Sequence, residues 1–572
     1  MPFNKLRLNH RYRFANQPQS SKSNQAAIGP ETPRIWNLAG TLIQRLGLLL
    51  LLLLVCLAVG GRRAHADDDE TVQDLKARVE AMEAQNQRMF RLLESRHLLD
   101  ELDANPGGLP GFPSLDDDEP GVRAWLAADK SEKPVSDPGK EPDWYEVGSD
   151  TKMSASWKNG LEIESKNHDF RVHIGGRTHL DFGWYHPDES VQNSLPVTNK
   201  FRDGVDFRRA RFRIDGVMYE TMEWAAEFDF VNSAGAGVGG TAINLVAPTD
   251  LWWQWNQIPV MQHFRVGNVK EPFGFEHLTS SRFLNFMERS FLQDAFYGGF
   301  NNGFTPGAYF FGTMEEERMT YAIGVFSPTT NIFAANTGPA EFSVTGRLTA
   351  LPYYEDDGRS LLHLGVSGRH WSLDEHQARF RTRASVRSGP GAQWPIIGDT
   401  GLINAGTDQI INAEVVSVLG SFTFAAEYLT SWLQNAERPL GTSVGTVFYQ
   451  GGYVEALYFL TGEHQPYNRR TGVFDRLVPH ENAFFARGGG QDGTPAYGWG
   501  AWQLSARFQY LDLDDKGFNG GVLKDTTIGI NWFLNPNFKV QANYFYLDRQ
   551  GPKSPTGDGA VQGFGIRLAH DF

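Results

Sequence analysis

The amino-acid sequence predicts an all-β protein: a transmembrane antiparallel β-barrel of about sixteen strands, preceded by a short N-terminal coiled-coil helix. Three observations predict this fold class. Segments with a hydropathy period of two, the spacing of strand side chains, recur from about residue 169 onward. A secretory signal pattern precedes them. The chain also stops within such a segment, on Phe572, as expected if a last strand seals against a first.

Residues 1–66 are predicted to be a signal peptide with a long basic n-region. An apolar run over 46–60 follows basic side chains and precedes Ala64-His65-Ala66, an A-x-A cleavage pattern. A retained membrane anchor is the alternative. The one cysteine, Cys56, lies in this run, so the mature chain has neither disulfides nor thiolate metal sites. Residues 1–66 hold nine Lys/Arg and one Glu, so their removal takes the net charge from −14 to about −22, which argues against a general nucleic-acid binder.

Residues 67–104 are predicted to form a coiled-coil helix, and a solvated amphipathic helix is the alternative. Its a and d positions are Val72, Leu75, Val79, Met82, Asn86, Met89 and Leu93. Asn86 at an a position is the kind of residue that fixes register and oligomer state. Residues 105–168, rich in Pro, Gly and acidic side chains, are predicted to be a linker.

Residues 169–572 are predicted to form the barrel. The alternating segments lie near 172–184, 207–219, 222–231, 251–256, 262–270, 307–313, 318–326, 341–350, 360–371, 411–419, 421–430, 445–460, 502–510, 527–534, 538–546 and 563–572. Such alternation fits either a soluble protein with an apolar interior or a membrane barrel with apolar side chains facing lipid. The export signal, strands near ten residues long, and aromatic residues at strand ends favour the membrane barrel; these aromatics are Trp184, Tyr185, Tyr219 and Tyr546.

The connections between these segments differ in length. Residues 534–537 form a tight turn, whereas 271–305 and 464–498 are long loops. A membrane barrel has short turns at one end and long loops at the other. We therefore expect both long loops at the end opposite the tight turns.

Several longer motifs in this region carry a resemblance to a known family. They are Phe207-Arg208-Arg209-Ala210-Arg211, residues 266–274 (VGNVKEPFG), residues 460–467 (LTGEHQPY), residues 498–503 (GWGAWQ) with 510–513 (YLDL), and residues 531–536 (NWFLNP). With them, the chain resembles the phosphate-selective porin O and P family. The resemblance implies a homotrimeric sixteen-stranded barrel in the outer-membrane lipid, with its coiled coil in the periplasm. It also implies a pore that favours small anions, phosphate or polyphosphate among them.

Three arginines are the first candidates for an anion pathway. Arg209, Arg211 and Arg213 alternate along one strand, so their side chains share one face. Guanidinium groups match phosphate oxygens in pairs, and a row of such sites lets an anion step along the pore wall. The alternative is that the arginines pair with the acidic residues of the next strand and only neutralise the wall. Those residues are Glu223, Glu227 and Asp229.

The segment 270–304 supplies further candidates: Lys270, Arg282 and Arg289. Its many phenylalanines must be buried, so we expect the segment to fold into the lumen and narrow it; an extracellular cap is the alternative. Arg379, Arg381 and Arg383 form a second alternating row that could extend the path, although residues 389–391 (GPG) indicate a loop there.

The sequence is compatible with three functions. A passive channel in the outer membrane is favoured, and a barrel that anchors the envelope through its periplasmic coiled coil is the alternative. An enzyme inside the barrel is the third, but the sequence has no G-x-S-x-G, H-E-x-x-H or P-loop motif. We therefore predict no enzyme activity, cofactor or metal site.

Overall fold

The computed structural model describes residues 146–149, 151–236, 242–298, 303–329, 341–373, 377–438, 441–487, 495–552, 554 and 556–572. The predicted signal peptide (1–66), the predicted coiled coil (67–104) and most of the predicted linker lie outside the described residues. Among the described residues, none of the helices has the length and apolar content that a membrane-spanning helix needs.

Sixteen long strands make the barrel wall, each where the sequence shows a two-residue hydropathy period. Their bounds are β1 Phe170–Pro187, β2 Gly204–Met218, β3 Met222–Ala236, β4 Ala242–Ile258, β5 Gln262–Val269, β6 Thr305–Met314, β7 Met319–Phe326, β8 Ser343–Glu355, β9 Ser360–Ser372, β10 Thr407–Leu419, β11 Phe422–Arg438, β12 Thr442–Phe459, β13 Ala501–Asp515, β14 Phe518–Asn535, β15 Phe538–Gln550 and β16 Gly559–Asp571.

The barrel is closed. Every strand pairs antiparallel with its neighbour in the chain, and β16 pairs with β1 through partners such as Phe564↔Trp184 and Leu568↔Leu180. The backbone amide of Gly176 donates to the carbonyl oxygen of Phe572 over 2.7 Å, which fixes the chain end to the first strand. The predicted fold class is confirmed.

Side-chain orientation follows the membrane-barrel pattern. On β13 and β14 the outward side chains Phe508 and Ile528 are 46% and 54% exposed, whereas the inward Arg507 is 1% exposed. Arg567 on β16 is also fully buried. Three of the predicted strand-end aromatics are exposed, but Tyr185 points inward and packs on Phe201, with ring centroids 5.4 Å apart. Apolar groups therefore cover the outside and ionic groups the inside.

A short hairpin precedes the wall, within the stretch 105–168 predicted as a linker. Its strands are Met153–Trp157 and Leu161–Ser165, and the second pairs with β1 from Leu161↔Ile174 to Glu164↔Arg171. The end of the predicted linker thus extends the sheet. The alternation signal was missed there because five-residue strands hold too few side chains to show a period.

The connections sort into two ends, with exceptions in both directions. The two-residue turn 516–517 lies at the same end as the long connection 270–304. The turns at 219–221, 356–359 and 536–537 lie at the end that holds Phe572, whereas 270–304 and 373–406 leave from the other end. The long connection 460–500 joins β12 to β13 at the short-turn end, where Phe459 pairs with Gln503. Its expected place beside the other long loops is therefore wrong. Short turns of such barrels face the periplasm.

Smaller elements lie in the connections. The helices are α1 Glu189–Ser194, α2 Phe275–Leu278 and α3 Phe291–Ala295, with 3-10 turns at Val197–Asn199, Asp356–Gly358 and Gly391–Gln393. The short strands are Gln377–Ala378, Arg381–Arg383, Ile396–Asp399, Ile403–Asn404, Tyr467–Asn468, Val473–Phe474, Phe484–Arg487 and Pro495–Gly498. The largest apolar cluster forms where α3 and the strands around 381–397 pack on the inner wall.

Candidate functional site: a cation-lined constriction

The connection 270–304 lies inside the barrel, and we call it the first inner loop. Its apolar side chains Phe273, Phe286, Met287 and Phe291 are all at most 3% exposed. They are buried because the loop packs against wall residues and against the connection from β9 to β10. The loop therefore fills part of the lumen, and it does not cap the barrel from outside.

Polar side chains of the wall bind the backbone of the first inner loop. The amide of Met287 donates to Asn543 Oδ1 and the amide of Phe291 donates to Gln509 Oε1, each over 2.8 Å. Lys539 Nζ donates to the carbonyl oxygen of Leu284 over 2.7 Å. A buried backbone needs such partners, and here two strands, β13 and β15, supply them. The loop is thus held as part of the wall.

Glu427 on β11 anchors the start of α2. Its carboxylate accepts hydrogen bonds from the backbone amides of Phe275 (2.9 Å) and Glu276 (2.7 Å) and from the Tyr453 hydroxyl (2.9 Å). Asn412 Nδ2 donates to it over 3.0 Å. A carboxylate is well suited to gather several donors in a dry place, because it accepts on both oxygens.

The connection 373–406 also turns inward, and we call it the second inner loop. Phe380 and Ile397 of this loop are buried in the same apolar cluster as the first inner loop. Arg387 joins the two loops, with Nη2 2.9 Å from Asp294 Oδ2 and Nη1 3.5 Å from Glu288 Oε2. Burial alone would raise the pKa of Glu288, but the guanidinium groups of Arg208 and Arg387 hold it well below its usual range.

A cavity of about 800 Å³ lies between these loops and the wall. Twelve of its described lining residues are cationic and six are acidic. The cations are Arg177, Arg208, Arg209, Arg211, Arg265, Lys270, Arg289, Arg347, Arg381, Arg383, Arg387 and Arg470. The acids are Glu227, Asp229, Asp250, Glu288, Asp294 and Asp475. Cations therefore outnumber carboxylates two to one in the part of the cavity that the structure describes.

The three arginines of β2 are not equivalent. Arg211 Nε lies 2.8 Å from Asp229 and its Nη1 3.2 Å from Glu227. Arg213 lies 2.7 Å from Asp215 and 3.1 Å from Asp250, and it does not line the cavity. Arg211 and Arg213 thus follow the neutralised-wall alternative, with Asp229 and Glu227 as predicted for Arg211.

Arg209 differs from Arg211 and Arg213. It is 4% exposed and lines the cavity, and within the described part of the chain it makes no salt bridge. Its Nη1 lies 3.3 Å from His179 Nδ1, and its Nε has no hydrogen-bond acceptor among the described residues. Arg209 is therefore a buried guanidinium whose charge faces the cavity without a direct counter-ion.

The cations of the first inner loop bind mainly the loop itself. Lys270 Nζ donates to the carbonyl oxygen of His277 over 2.5 Å, and Arg289 Nε donates to that of Glu276 over 2.9 Å. Burial and the nearby charge of Arg289 hold the pKa of Lys270 well below its usual value. Both residues line the cavity, whereas Arg282 lies outside it, with Nε 3.5 Å from Asp571.

The family model for phosphate-selective porin O and P matches residues 172–572. The chain belongs to the phosphate-selective porin O and P family. Among curated proteins it is 22% identical over 442 residues to Porin O of Pseudomonas aeruginosa, covering 73% of this chain and 91% of that one. It is 26% identical over 522 residues to an uncharacterized protein of Caulobacter vibrioides, covering 88% and 91% of the two chains.

Solved structures match more weakly. A loop-deletion variant of OmpT, an outer membrane protein of Vibrio cholerae, aligns over 71% of this chain and all of its own, at 11% identity and a TM-score of 0.42. The fold assignment of this porin rests instead on its own closed strand ladder. The matched family and the barrel together establish an outer-membrane diffusion channel.

Arg208 of the porin was missed in the sequence. Strict alternation places it outside with Ala210 and Phe212, but the ladder skips one residue between His179↔Arg209 and Leu180↔Phe207. This β-bulge turns Arg208 inward, where Nε and Nη2 bind Glu288 at 2.8 and 3.0 Å. A bulge depends on the partner strand, so alternation within one segment cannot show it.

The second arginine row of the porin divides. Arg381 and Arg383 line the cavity, whereas Arg379 points away from it and pairs with Asp399 at 2.5 Å. The indole of Trp394 holds three guanidinium groups near its ring: those of Arg208 at 4.5 Å, Arg383 at 5.2 Å and Arg387 at 5.6 Å. Such stacking offsets part of the repulsion among like charges.

Residues 465–476, part of the connection between β12 and β13, cross the short-turn end of the cavity, and we call them the strap. Arg347 of the wall donates to the carbonyl oxygen of Gly472 over 2.8 Å, and Phe474 meets Phe275 edge-to-face at 4.8 Å. At the rim of the barrel on the short-turn end, Arg470 lies 2.7 Å from Glu317. The porin cavity is therefore bounded by two inner loops from one end and by the strap from the other.

Proposed function

We propose that this outer-membrane porin favours small anions, phosphate among them, through the cavity between its inner loops and strap. The excess of cations over carboxylates in the described lining supports the proposal, because selectivity in a wet pore follows the charge at its narrow part. The name of the matched family, phosphate-selective porin O and P, also points to phosphate.

Arg209 is the observation that carries the proposal. A guanidinium that is buried without a bonded carboxylate keeps its charge and its donors for a passing anion. The neighbouring cations that already bind carboxylates add a background field only, since each is largely neutralised by its partner. We therefore propose one strong anion site at Arg209, set within a weakly positive passage.

Competition between phosphate and chloride tests this site. In a planar bilayer with chloride as the main anion, added phosphate should reduce the chloride current of the wild-type channel, because phosphate occupies Arg209 longer. Arg209→Gln should remove most of this block. Arg379→Gln, which removes an arginine outside the cavity, is the matched control and should keep it. An unchanged block in Arg209→Gln would contradict the proposal.

Three further features stay predictions that rest on the family or the sequence. We propose a homotrimer, a signal peptide over residues 1–66, and a periplasmic coiled coil over 67–104. The mass of the detergent-extracted protein would test the first, and the N-terminal residue of the mature chain the second. Loss of the trimer on deleting 67–104 would show that the coiled coil holds it together.

A further inference from the structure

A second, smaller gap lies beside the main cavity, at the seam where the barrel closes. It has a volume of about 30 Å³ and lies between the first inner loop, the strap and the ends of β15 and β16. That volume holds roughly one or two water molecules, which is too little for a hydrated ion to pass. We call it the seam gap.

Three cations and two carboxylates line the seam gap. Arg282 comes from the first inner loop, Arg476 from the strap and Lys539 from β15. Two carboxylates face them, Asp475 and Asp571. Asp475 forms its hydrogen bonds within the strap. It accepts from Asn468 Nδ2 over 3.0 Å and from the backbone amide of Arg476 over 2.7 Å.

Asp571 is the carboxylate that joins the separate elements. Its Oδ2 binds Arg476 Nη2 in a salt bridge and lies 3.5 Å from Arg282 Nε. Arg476 also donates to the carbonyl oxygen of Pro536 in the turn from β14 to β15, over 2.5 Å. The second-to-last residue of the chain thus ties the strap and the first inner loop to the last strand.

The other side of the strap is held independently of Asp571. Arg347 binds the carbonyl oxygen of Gly472, and Val473 and Phe474 pack against Phe275 in a separate apolar cluster. Removal of the Asp571 carboxylate would therefore leave the Arg476 side of the strap held only through the Pro536 carbonyl oxygen, with the rest of the strap in place. It would also leave three cations in the seam gap with only Asp475 facing them.

We propose that Asp571 closes a second, cationic passage between the first inner loop and the strap. The carboxylate does so by holding Arg476 across the seam gap, and it neutralises the cations that would otherwise attract anions there. This inference rests on the proposed function only for the sign of the ion that would use the passage. The passage itself is inferred from the seam gap and from the contacts around Asp571.

Two variants test the proposal by opposite effects on selectivity. Asp571→Asn and Arg476→Gln both break the salt bridge, so both should raise the single-channel conductance above that of the wild-type full-length porin. Asp571→Asn removes a negative charge. A unit charge roughly 6 Å from the path in water-like surroundings changes the permeability of each ion about threefold, in opposite directions for anion and cation, so the anion-to-cation permeability ratio should rise about tenfold. Arg476→Gln removes a positive charge and should lower that ratio.

Asp548→Asn is the matched control, because Asp548 is exposed at the far end of β15, and it should change neither quantity. Unchanged conductance in both seam variants would overturn the proposal. If Asp571→Asn fails to assemble, the conductance of Arg476→Gln is the test, since Arg476 lies in the strap and not in the last strand. A wild-type channel without anion preference would refute the proposed function, yet higher conductance in the seam variants would still support the passage.

Discussion

Individual residues inside this barrel divide into those that face the cavity and those that fasten the inner loops. Arg209 represents the first group, and Glu427 and Asn543 the second. Both kinds are polar and buried, so burial and charge alone do not separate them. The difference lies in their partners: fastening residues bind backbone groups of the first inner loop, and Arg209 has no acceptor for its Nε in the described chain.

Glu427 should stabilise the folded porin through the first inner loop. In Glu427→Gln one carboxylate oxygen becomes an amide NH2 group. Because Phe275 donates to Oε2 and Glu276 to Oε1, one of these buried backbone amides then faces a donor and loses its acceptor. We expect a loss of about 3 kcal/mol in the free energy of unfolding. Denaturant unfolding in lipid vesicles measures it, with Glu437→Gln at the exposed end of the same strand as control. Equal stabilities of the two variants would contradict the fastening role.

Lys270 should make the selectivity depend on pH. Burial holds the pKa of Lys270 below its ordinary value of 10.5, so its charge is lost as the pH rises through that lowered value. The cavity then has one positive charge less, so the anion preference should fall as the pH is raised through the lowered pKa of Lys270. Lys270→Arg, whose side chain stays charged, should keep the preference over this range. Reversal potentials at each pH measure both channels, and parallel curves would refute the assignment.

The two inner loops are positioned by the burial of their apolar side chains. The first inner loop carries seven phenylalanines between 273 and 300, and a loop so apolar gains stability by packing these side chains against the inner wall. The second inner loop then packs on the first, through Phe380 against Phe296 at 5.5 Å. The loops therefore form one inner layer, and loss of one alters the other.

The second inner loop should narrow the channel and make it more positive. Replacing residues 381–399 by a short Gly/Ser linker removes the cavity arginines 381, 383 and 387. The single-channel conductance should rise, because the lumen widens, and the anion preference should fall. Shortening 551–558, which does not line the cavity, is the control and should leave both quantities unchanged. A narrower or more anion-selective channel after the replacement would be evidence against this role.

The sequence predicts the strands of the barrel wall well, because the alternation within each strand shows which of its side chains face outward and which face inward. Phe508 and Arg507 point in opposite directions simply because they are neighbours on a strand. The inward turn of Arg208 could not be predicted in this way, because the bulge is a property of the pair β1 and β2. Salt bridges such as Arg387 with Asp294 were also out of reach, since 93 residues separate the partners.

The position of the strap can be predicted from the number of strands that precede it. Every strand reverses the direction of the chain, so the end at which a connection lies depends on whether an even or odd number of strands precedes it. Twelve barrel strands precede 460–500, which places this connection at the same end as Phe572. Loop length suggested the opposite end. The parity of the strand count was the signal in the sequence that could have corrected it.

On the scale of the whole molecule, the porin has a negative net charge of −14 and a cavity whose described lining is rich in cations. The negative net charge and the cationic lining are compatible because the charges lie in different parts of the molecule. Ionic side chains of the strands point inward, and the inner loops and the strap add further arginines to the cavity lining. The field that a passing ion meets is set by this local lining, not by the total charge of the chain.

The central claim is that this lining makes the channel prefer anions. Its most direct test is the zero-current potential of the wild-type porin in a planar bilayer that separates two concentrations of KCl. We predict the sign that chloride gives when it is more permeant than potassium. A potential of the opposite sign, set by potassium, would contradict the account.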